Sequence, residues 1–499
     1  MPFLKKYKGE VLSLGVLRKK SVASVLADRG ESRRGLAPTL DAWDLTALGV
    51  GAIIGTGIFV LTGVAAANYA GPAVVFSFVL AGLVSGLAAI VYTELAAALP
   101  VAGSVYTFSY AALGEIVAWL VGWNLILEYL VAAGAVAIGW SSYAGDLLRS
   151  VGIVLSPAFT SSPFDGGIFN APAVFIVLAI TALIITGTQH SAVANKIVVL
   201  AKLAAIALFL AVGIRHIDTA NYTPLLPFGV AGVFQGAAIV FFAYIGFDAV
   251  ATASEEVKNP QRDLPRGIIY SLLISTVLYI GVAATLTGIV KYTQLNTASP
   301  VAAALLRVGI PWASALVSVG ALAGLTSVML VSMYGQSRIF FAMARDDLLP
   351  SIFDWLHPRL RTPVWDSLII GLVVAAIGAL LPIGLVAEMA NIGTISAFIT
   401  ASVAVMVLRK KAPDLDRPFR IPWMPVIPVL TIISASYLAL NLPALTWIRF
   451  VAWILIGLVI YFAYGYRRSR LAREEGEGDA PGPAPFVSAP ARKPGRDNR

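Results

Sequence analysis

The sequence predicts an all-α integral membrane protein with twelve transmembrane helices. Hydrophobic residues make up 58% of the 499 residues and charged residues only 13%, and the mean hydropathy is +0.83. A soluble chain of this length needs far more charge to cover its surface. Runs such as 72–98 and 171–187 are almost free of charge over lengths that span a bilayer. Because lipid offers backbone groups no hydrogen bonds, we expect helices here, and the short alternating segments of a β-barrel are missing.

Twelve apolar spans follow one another along the chain. They cover residues 43–67, 72–98, 115–148, 171–187, 192–214, 232–256, 267–290, 312–344, 364–382, 384–408, 424–441 and 447–466. With the N-terminus in the cytoplasm, 29 of the 36 Lys and Arg residues lie on the cytoplasmic side. Cytoplasmic loops carry an excess of these residues, so we expect a multi-pass protein of the cell (inner or plasma) membrane with both termini cytoplasmic. The net charge of +9 therefore reflects topology, and no nucleic-acid partner is expected.

The chain divides into three parts. Residues 1–40 form a basic segment, in which Arg18, Lys19 and Lys20 either lie on the anionic inner leaflet or act as a solvated orientation signal. Residues 41–466 form the twelve-helix domain. Residues 467–499 are rich in Arg, Glu, Gly, Pro and Ala and are expected to be a disordered cytoplasmic tail.

Cofactors and metals are not expected. The chain has no cysteine, and its three histidines (His190, His216 and His357) lie far apart in or beside predicted loops, which disfavours a metal site. The first apolar stretch begins near Trp43, too far along and too long for a cleavable signal peptide. There is no paired nucleophile and base, so an intramembrane enzyme is disfavoured. A sensor subunit is disfavoured because no soluble domain is present.

Two spans are interrupted at corresponding positions. Span one contains Gly55-Thr56-Gly57, and span six contains Tyr244-Ile245-Gly246-Phe247-Asp248. Five spans separate the start of one from the start of the other, so the second set is upside down relative to the first. This predicts a five-plus-five inverted repeat, about 43–214 and 232–408, with helices eleven and twelve (about 424–466) outside it and a binding site at the two breaks.

Unwound helices at mid-membrane leave backbone groups that need partners. The amides near Gly55, Thr56 and Gly57, with the positive end of the helix dipole, suit a carboxylate. The carbonyls freed in span six suit an ammonium group, so the paired breaks favour a site for a zwitterion. The alternative is that the glycines only let helices pack closely. The candidate substrate-binding residues in the breaks are Ile53, Gly55, Thr56, Gly57, Phe242, Ala243 and Ile245.

Lys202 lies about ten residues into span five, roughly 15 Å deep. Placing a lysine there costs about 2.5–3.5 kcal/mol. A buried lysine favours its uncharged form and can bind and release a proton. We therefore take Lys202 as the candidate carrier of a coupling proton, against the alternative of a structural lysine paired permanently with carbonyls. Lys196, near the start of the helix, is the better candidate to reach the interface.

Two acidic residues also lie within spans. Glu128 is mid-way along span three, and Asp248 follows the break in span six. Both are expected to face the bundle interior, where they bind the amino end of a substrate or a cationic side chain. The alternative is that they pair with Lys202 or cap freed backbone N–H groups.

Several motifs resemble one transporter family. Residues 254–267, Ser-Glu-Glu-Val-Lys-Asn-Pro-Gln-Arg-Asp-Leu-Pro-Arg-Gly, resemble the span 6–7 loop of the amino acid–polyamine–organocation transporters. Residues 244–248 and 123–129 look like its cationic amino acid transporter branch, and residues 333–338 and 18–20 are similar too. The resemblance covers nearly the whole chain up to about residue 466.

The resemblance implies the leucine-transporter-type fold, alternating access and a free amino acid as substrate. It implies a proton-driven importer without a cofactor, with Glu128, Asp248 and the break residues around substrate and Lys202 where relatives hold sodium. Sodium symport and amino acid exchange remain alternatives. A cationic substrate needs an acid near span eight, but the candidates there are Leu325, Thr326, Met329 and Ser332. Broad neutral substrates are therefore favoured, with Arg or Lys possible.

Overall fold

The computed structural model describes residues 18–22, 24–25, 40–100, 103–186, 192–248, 250, 257–297, 299–353, 355, 357 and 362–473. Within these ranges the regular structure is helical, apart from one isolated bridge between Leu40 and Val257. The prediction of an almost entirely helical chain is confirmed.

Fifteen helical segments position the site. They are α1 (Ala42–Ile53), α2 (residues 57–70), α3 (Val74–Ala98), α4 (Ser104–Ala112), α5 (Glu115–Ser150), α6 (Ala171–Ile185), α7 (Ala192–Gly213), α8 (Gly229–Val240), α9 (Pro260–Ile289), α10 (Pro300–Arg307), α11 (Pro311–Arg345), α12 (Val364–Leu380), α13 (Ile383–Lys411), α14 (Val426–Leu440) and α15 (Ala444–Ile460). Short 3₁₀ and π-helical turns join or extend several of them.

Many of these helices have the length and composition of membrane spans. In the described part of the chain, 7 helical stretches are long and apolar enough to cross a membrane. They are Gly57–Ala98, Glu115–Ser150, Ile197–His216, Pro260–Ile289, Pro311–Arg345, Ile383–Lys411 and Ala444–Arg468. Shorter apolar helices are Ala42–Ile53, Ala171–Ile185, Gly229–Tyr244, Val364–Leu380 and Val426–Leu440. The stretch 57–98 is not straight, because Gly71 turns the chain with φ of 63°.

The first predicted interruption is present between α1 and α2. Asp41 starts α1 by accepting hydrogen bonds from the N–H groups of Trp43 and Asp44, each at 2.9 Å. The helix stops at Ile53, and Ile54 is extended, with φ −76° and ψ 98°. Helix resumes beyond Gly55 as α2, which begins and ends in π-helical turns.

The second predicted interruption follows α8. The helix tightens into a 3₁₀ turn at Phe241–Tyr244, and Ile245 is extended, with φ −62° and ψ 136°. Gly246 has φ of 117°, a conformation that side chains with a Cβ rarely adopt. Residues 251–256, which complete predicted span six, lie outside the described residues.

The long helix α5 lies at the centre of the packing. It packs against α11 and α13, while α9 packs against α1 and α3. The peripheral helix α15 is joined to α5 by indole groups: Trp119 Nε1 donates to the Gly457 carbonyl and Trp123 Nε1 to the Trp453 carbonyl, each at 2.8 Å. These donors bind carbonyls in the helix, so α15 is fixed to the bundle while its outer face stays exposed.

The three basic residues before span one that the structure describes contact protein groups, while the inner-leaflet and orientation-signal interpretations of the segment stay predictions. Arg18 donates to the Tyr466 carbonyl, Lys19 to the Ala112 carbonyl, and Lys20 to Asp346 at 2.7 Å. Their cationic groups therefore bind protein. The other basic residues of 1–40 lie outside the described residues.

The structure describes the beginning of the predicted disordered tail. Residues 466–468 are helical, and the Arg470 N–H donates to the Asp346 carbonyl at 3.1 Å. Residues 467–473 thus contact the residues that follow α11, through Arg470 and through the Arg473–Asp347 ion pair, and disorder of the tail stays a prediction. Residues 474–499 lie outside the described residues.

Candidate functional site

A cavity lies where the two breaks meet α5 and α11. Its lining residues come from the α1–α2 break, the segment after α8, and the facing sides of the two long helices: Ala52, Ile53, Gly55, Thr56, Gly57, Glu128, Tyr129, Ala132, Val136, Phe242, Ile245, Gly246, Asp248, Val328, Val331 and Ser332. The cavity volume is about 30 Å³, room for roughly two water molecules. An amino acid therefore enters only after the walls move apart.

The start of α2 presents polar groups to this cavity. The first N–H groups of a helix have no acceptor within it, and Gly55, Thr56 and Gly57 occupy this position. The Thr56 hydroxyl is buried and has no hydrogen-bond partner among the described residues. Gly57 is required by packing, since a Cβ there would lie 2.2 Å from the Ala243 Cα. The first break thus places unsatisfied hydrogen-bond donors close to the second break.

One side chain from a third helix joins the two breaks. The hydroxyl of Tyr279, on α9, lies 2.9 Å from the Ile53 carbonyl oxygen and 2.7 Å from the Ala243 carbonyl oxygen. A hydroxyl has one proton, so it donates to one of these carbonyls at a time. Sequence reasoning missed Tyr279, because a tyrosine in an apolar span is usually a packing residue and its backbone partners carry no sequence signal.

Two carboxyl groups face the cavity. Glu128 is 2% exposed and Asp248 6% exposed. The Tyr129 hydroxyl donates to Asp248 Oδ2 at 3.0 Å, whereas Glu128 Oε2 has no hydrogen-bond partner in the described part of the chain. Among the described residues, the cavity lining contains these two carboxyl groups and no lysine, arginine or histidine.

Lys202 lies behind the first break and does not line the cavity. Its side chain is 0% exposed, and Nζ lies 2.5 Å from the Gly51 carbonyl oxygen and 3.1 Å from that of Ile54. No carboxylate of the described residues forms a salt bridge with it. Gly324 on α11 makes room for it, since a Cβ there would lie 3.1 Å from Lys202 Cδ. The ammonium group is therefore held by the carbonyls that the break releases.

The structure brings most of the candidate residues together. Eight of the nine candidate substrate-binding residues line the cavity, and the ninth, Ala243, packs against Gly57. Of the four span-eight residues considered for a cationic substrate, Ser332 lines the cavity, and Leu325, Thr326 and Met329 are not among its lining residues, which include Val328 and Val331. Polar residues lie on more than one face of this segment (Thr326, Ser327 and Ser332), so the sequence pattern does not select the face that lines the cavity. Within the described ranges, no group of three or more His, Cys, Asp or Glu side chains is arranged to hold a metal ion.

Comparison with known proteins decides the family. A family profile described as amino acid permease matches residues 40–463, which includes both breaks and every candidate residue. The chain belongs to the amino acid permease family. It is a multi-pass membrane transporter and not an enzyme.

Curated relatives support this assignment over nearly the full length. The permease is 48% identical over 463 residues to the branched-chain amino acid permease of Bacillus subtilis (strain 168), and 46% identical over 458 residues to the methylthioribose transporter of the same organism. Each match covers 91% of this chain and 99% of the relative. The vacuolar cationic amino acid transporter 4 of Arabidopsis thaliana is 37% identical over 411 residues, which is 80% of this chain and 68% of the relative.

Proposed function

We propose that this permease imports neutral L-amino acids together with a proton, by alternating access to the cavity between the two broken helices. The observation that carries the proposal is the pairing of unsatisfied donors and acceptors across one small cavity. The Thr56 hydroxyl and Glu128 Oε2 have no hydrogen-bond partner among the described residues, and buried polar groups of this kind normally have one.

A zwitterion matches these groups. Its carboxylate would accept from the first N–H groups of α2 and from Thr56, where the helix dipole favours negative charge. Its ammonium would donate to the Ile245 carbonyl and to the second lone pair of the Phe242 carbonyl, which already accepts from the Ile245 N–H at 3.2 Å, with the Glu128 and Asp248 carboxyl groups nearby. Ala243 does not line the cavity, and its carbonyl oxygen lies 2.7 Å from the Tyr279 hydroxyl, so we assign Ala243 a supporting role and no direct contact with substrate.

The walls around this polar centre favour an apolar side chain. Ala132 and Val136 on α5 face Val328 and Val331 on α11, and no carboxylate comes from α11. Aliphatic walls select substrates mainly by size, at about 1–3 kcal/mol per methylene. The name of the branched-chain relative agrees with this chemistry, and those of the cationic and methylthioribose relatives define the competing substrates to be tested.

The proposed topology has twelve crossings arranged as two inverted sets of five, with α14 and α15 outside the repeat and both termini in the cytoplasm. It is supported by two interruptions of similar form, each with an extended residue directly after a helix. Inverted repeats of this kind place the substrate between discontinuous helices near the bilayer midplane. Rocking of one repeat against the other would open the small cavity to one side of the membrane at a time.

Lys202 is the proposed carrier of the coupling proton. Its ammonium group bonds the Gly51 and Ile54 carbonyls in place of a metal cation, so loss of the proton would weaken a contact between α7 and the first break. Movement of one charge across 100 mV corresponds to about 2.3 kcal/mol, which suffices to concentrate substrate roughly fiftyfold.

Uptake by proteoliposomes tests the proposal. Purified permease is reconstituted and offered labelled leucine, arginine or methylthioribose under an imposed pH or sodium gradient. We expect leucine to accumulate when the interior is alkaline, without sodium. Accumulation that needs sodium would replace proton coupling with sodium symport. Uptake that needs internal amino acid, whatever the gradient, would identify an exchanger. Uptake of methylthioribose alone would replace the proposed substrate.

A further inference from the structure

A second concavity lies away from the breaks, where α5 ends and α6 begins. Its volume is about 440 Å³, far larger than that of the central cavity. Eight of its lining residues are apolar and two carry hydroxyl groups: Trp140, Ala144, Leu148, Leu155, Ser156, Phe159, Thr160, Ala171, Pro172 and Phe175. We refer to it as the α5–α6 groove. None of the candidate transport residues lines it.

The loop that forms one wall of this groove is unusually apolar. Residues 151–170 contain one charged residue, Asp165, and large side chains such as Val154 and Phe164 are more than two-thirds exposed. The loop is nevertheless folded, since the Ile168 N–H donates to the Ala158 carbonyl at 2.7 Å and the Asn170 N–H to the Ala379 carbonyl at 3.0 Å. An ordered loop with this surface is suited to lipid and not to water.

The groove crosses the boundary between the hydrocarbon core and the lipid headgroups. Val328, near the midpoint of α11, and Ala132, near the midpoint of α5, both line the central cavity, so that cavity marks mid-membrane. Along α5, the groove residues Trp140 and Leu148 lie eight and sixteen residues beyond Ala132, about 12 Å and 24 Å at 1.5 Å per residue. Half the hydrocarbon core is about 15 Å. The groove therefore extends from the outer part of the hydrocarbon core into the headgroup region, where tryptophan side chains such as Trp140 are enriched.

We propose that the α5–α6 groove is a binding site for a phospholipid of that leaflet, with the upper part of one acyl chain inside it. Water is a poor occupant, because a buried water needs two to four polar partners and eight of the ten lining residues are apolar. An empty groove would leave its walls without van der Waals contacts. The groove is continuous with the lipid-facing surface through exposed Phe175, so an acyl chain reaches it from the bilayer.

The polar residues of the groove suit the ester groups of the lipid, next to its acyl chains. The Ser156 and Thr160 side chains lie on the loop wall. The Thr160 hydroxyl donates to the Ser156 carbonyl at 3.4 Å, so the Ser156 hydroxyl is the group that would donate to an ester carbonyl. The occupant also contacts a junction between helices: Trp140 Nε1 donates to Thr326 Oγ1 on α11 at 3.1 Å, and Val136, one turn away, lines the central cavity. Lipid in the groove therefore packs against the side chain that joins the two long helices of the transport site.

Photolabelling of the full chain tests this site. The permease is reconstituted in nanodiscs with a phosphatidylcholine that carries a diazirine on the upper part of one acyl chain, then irradiated and mapped by peptide mass spectrometry. We expect stronger labelling in peptides that cover 140–160 and 171–175 than in the lipid-exposed helix α15. Two variants fill the groove from opposite walls, Ala144→Leu and Ala171→Leu, and each is expected to reduce groove labelling severalfold while α15 labelling stays unchanged.

Ala452→Leu, on the exposed surface of α15, is the matched control and is expected to leave groove labelling unchanged. A variant is scored only if it remains monodisperse and transports, and two variants keep the test available if one fails to fold. Groove labelling no stronger than that of α15, or equal in the filled variants, would refute the proposal. Absence of lipid labelling in the groove, together with cross-links between two copies of the chain at this site, would also refute the proposal. It would identify a second copy of the chain as the occupant.

Discussion

The Nζ atom of Lys202 lies 2.5 Å from the carbonyl oxygen of Gly51, a residue two positions before α1 ends. A second bond, to Ile54 at 3.1 Å, spans the end of the helix. One ammonium group thus supplies hydrogen bonds that the interrupted backbone has lost. This relationship connects the fifth predicted span to the first break, and it makes the geometry of the break depend on a titratable side chain.

Lys202→Ala is expected to abolish the stimulation of uptake by an inside-alkaline gradient while exchange of labelled for unlabelled amino acid continues. Without the ammonium, no group carries the proton, and the Gly51 and Ile54 carbonyls lose a donor, at a cost of about 1–3 kcal/mol. Gradient-driven uptake and exchange are measured in the same proteoliposomes. Lys291→Ala, at an exposed lysine, is the control. A variant with the pH dependence of the unaltered protein would remove Lys202 from the coupling mechanism.

Tyr279→Phe is expected to slow transport and weaken substrate binding by about tenfold, which corresponds to about 1.4 kcal/mol, one ordinary hydrogen bond. The phenyl ring keeps the packing but leaves the Ile53 and Ala243 carbonyls without this donor. Tyr244→Phe is the control, since its hydroxyl donates to the Phe78 carbonyl at 2.8 Å and its ring packs 5.3 Å from that of Tyr279. Equal effects of the two substitutions would show that the loss is general to buried tyrosines.

Thr56→Val is expected to raise the KM for leucine by about fivefold to tenfold, the range for one hydrogen bond of about 1 kcal/mol. Thermal stability should change little, because the Thr56 hydroxyl has no partner among the described residues. Thr62→Val is the opposite case in the same segment: that hydroxyl donates to the Ile58 carbonyl at 2.9 Å, so stability should fall while KM is unchanged. An unaltered KM in Thr56→Val would place this hydroxyl outside the substrate site.

Gly57→Ala is expected to prevent transport and to lower thermal stability, because the new Cβ would lie 2.2 Å from the Ala243 Cα and one of the two broken segments must shift. Gly145→Ala, on α5, meets nothing within 4 Å and should raise stability by roughly 0.5–1 kcal/mol through helix propensity. Both are measured by uptake and thermal unfolding. Normal transport in Gly57→Ala would show that transport does not require the close approach of the two broken segments.

The breaks were predictable from sequence because glycines and an acid interrupt otherwise apolar runs, and these residues are costly inside a membrane helix. Lys202 stood out for the same reason. The donor from Tyr279 could not be predicted, because its acceptors are backbone atoms of residues 226 and 36 positions away. The apolar walls were equally hidden: Val328 and Leu325 have the same hydrophobic character, and only packing decides which faces the cavity. The docking of Lys20 on Asp346 likewise depends on a contact between distant segments.

Binding of three leucine analogues tests the zwitterion site most directly. Leucine, its amine without the carboxylate and its acid without the ammonium differ only in one charged end, and their affinities are compared by calorimetry on the purified full-length permease. We expect leucine to bind and each analogue to bind at least about tenfold more weakly, since a buried group left unpaired costs about 1–3 kcal/mol, and more when it is charged. Binding of either analogue as tightly as leucine would contradict the account.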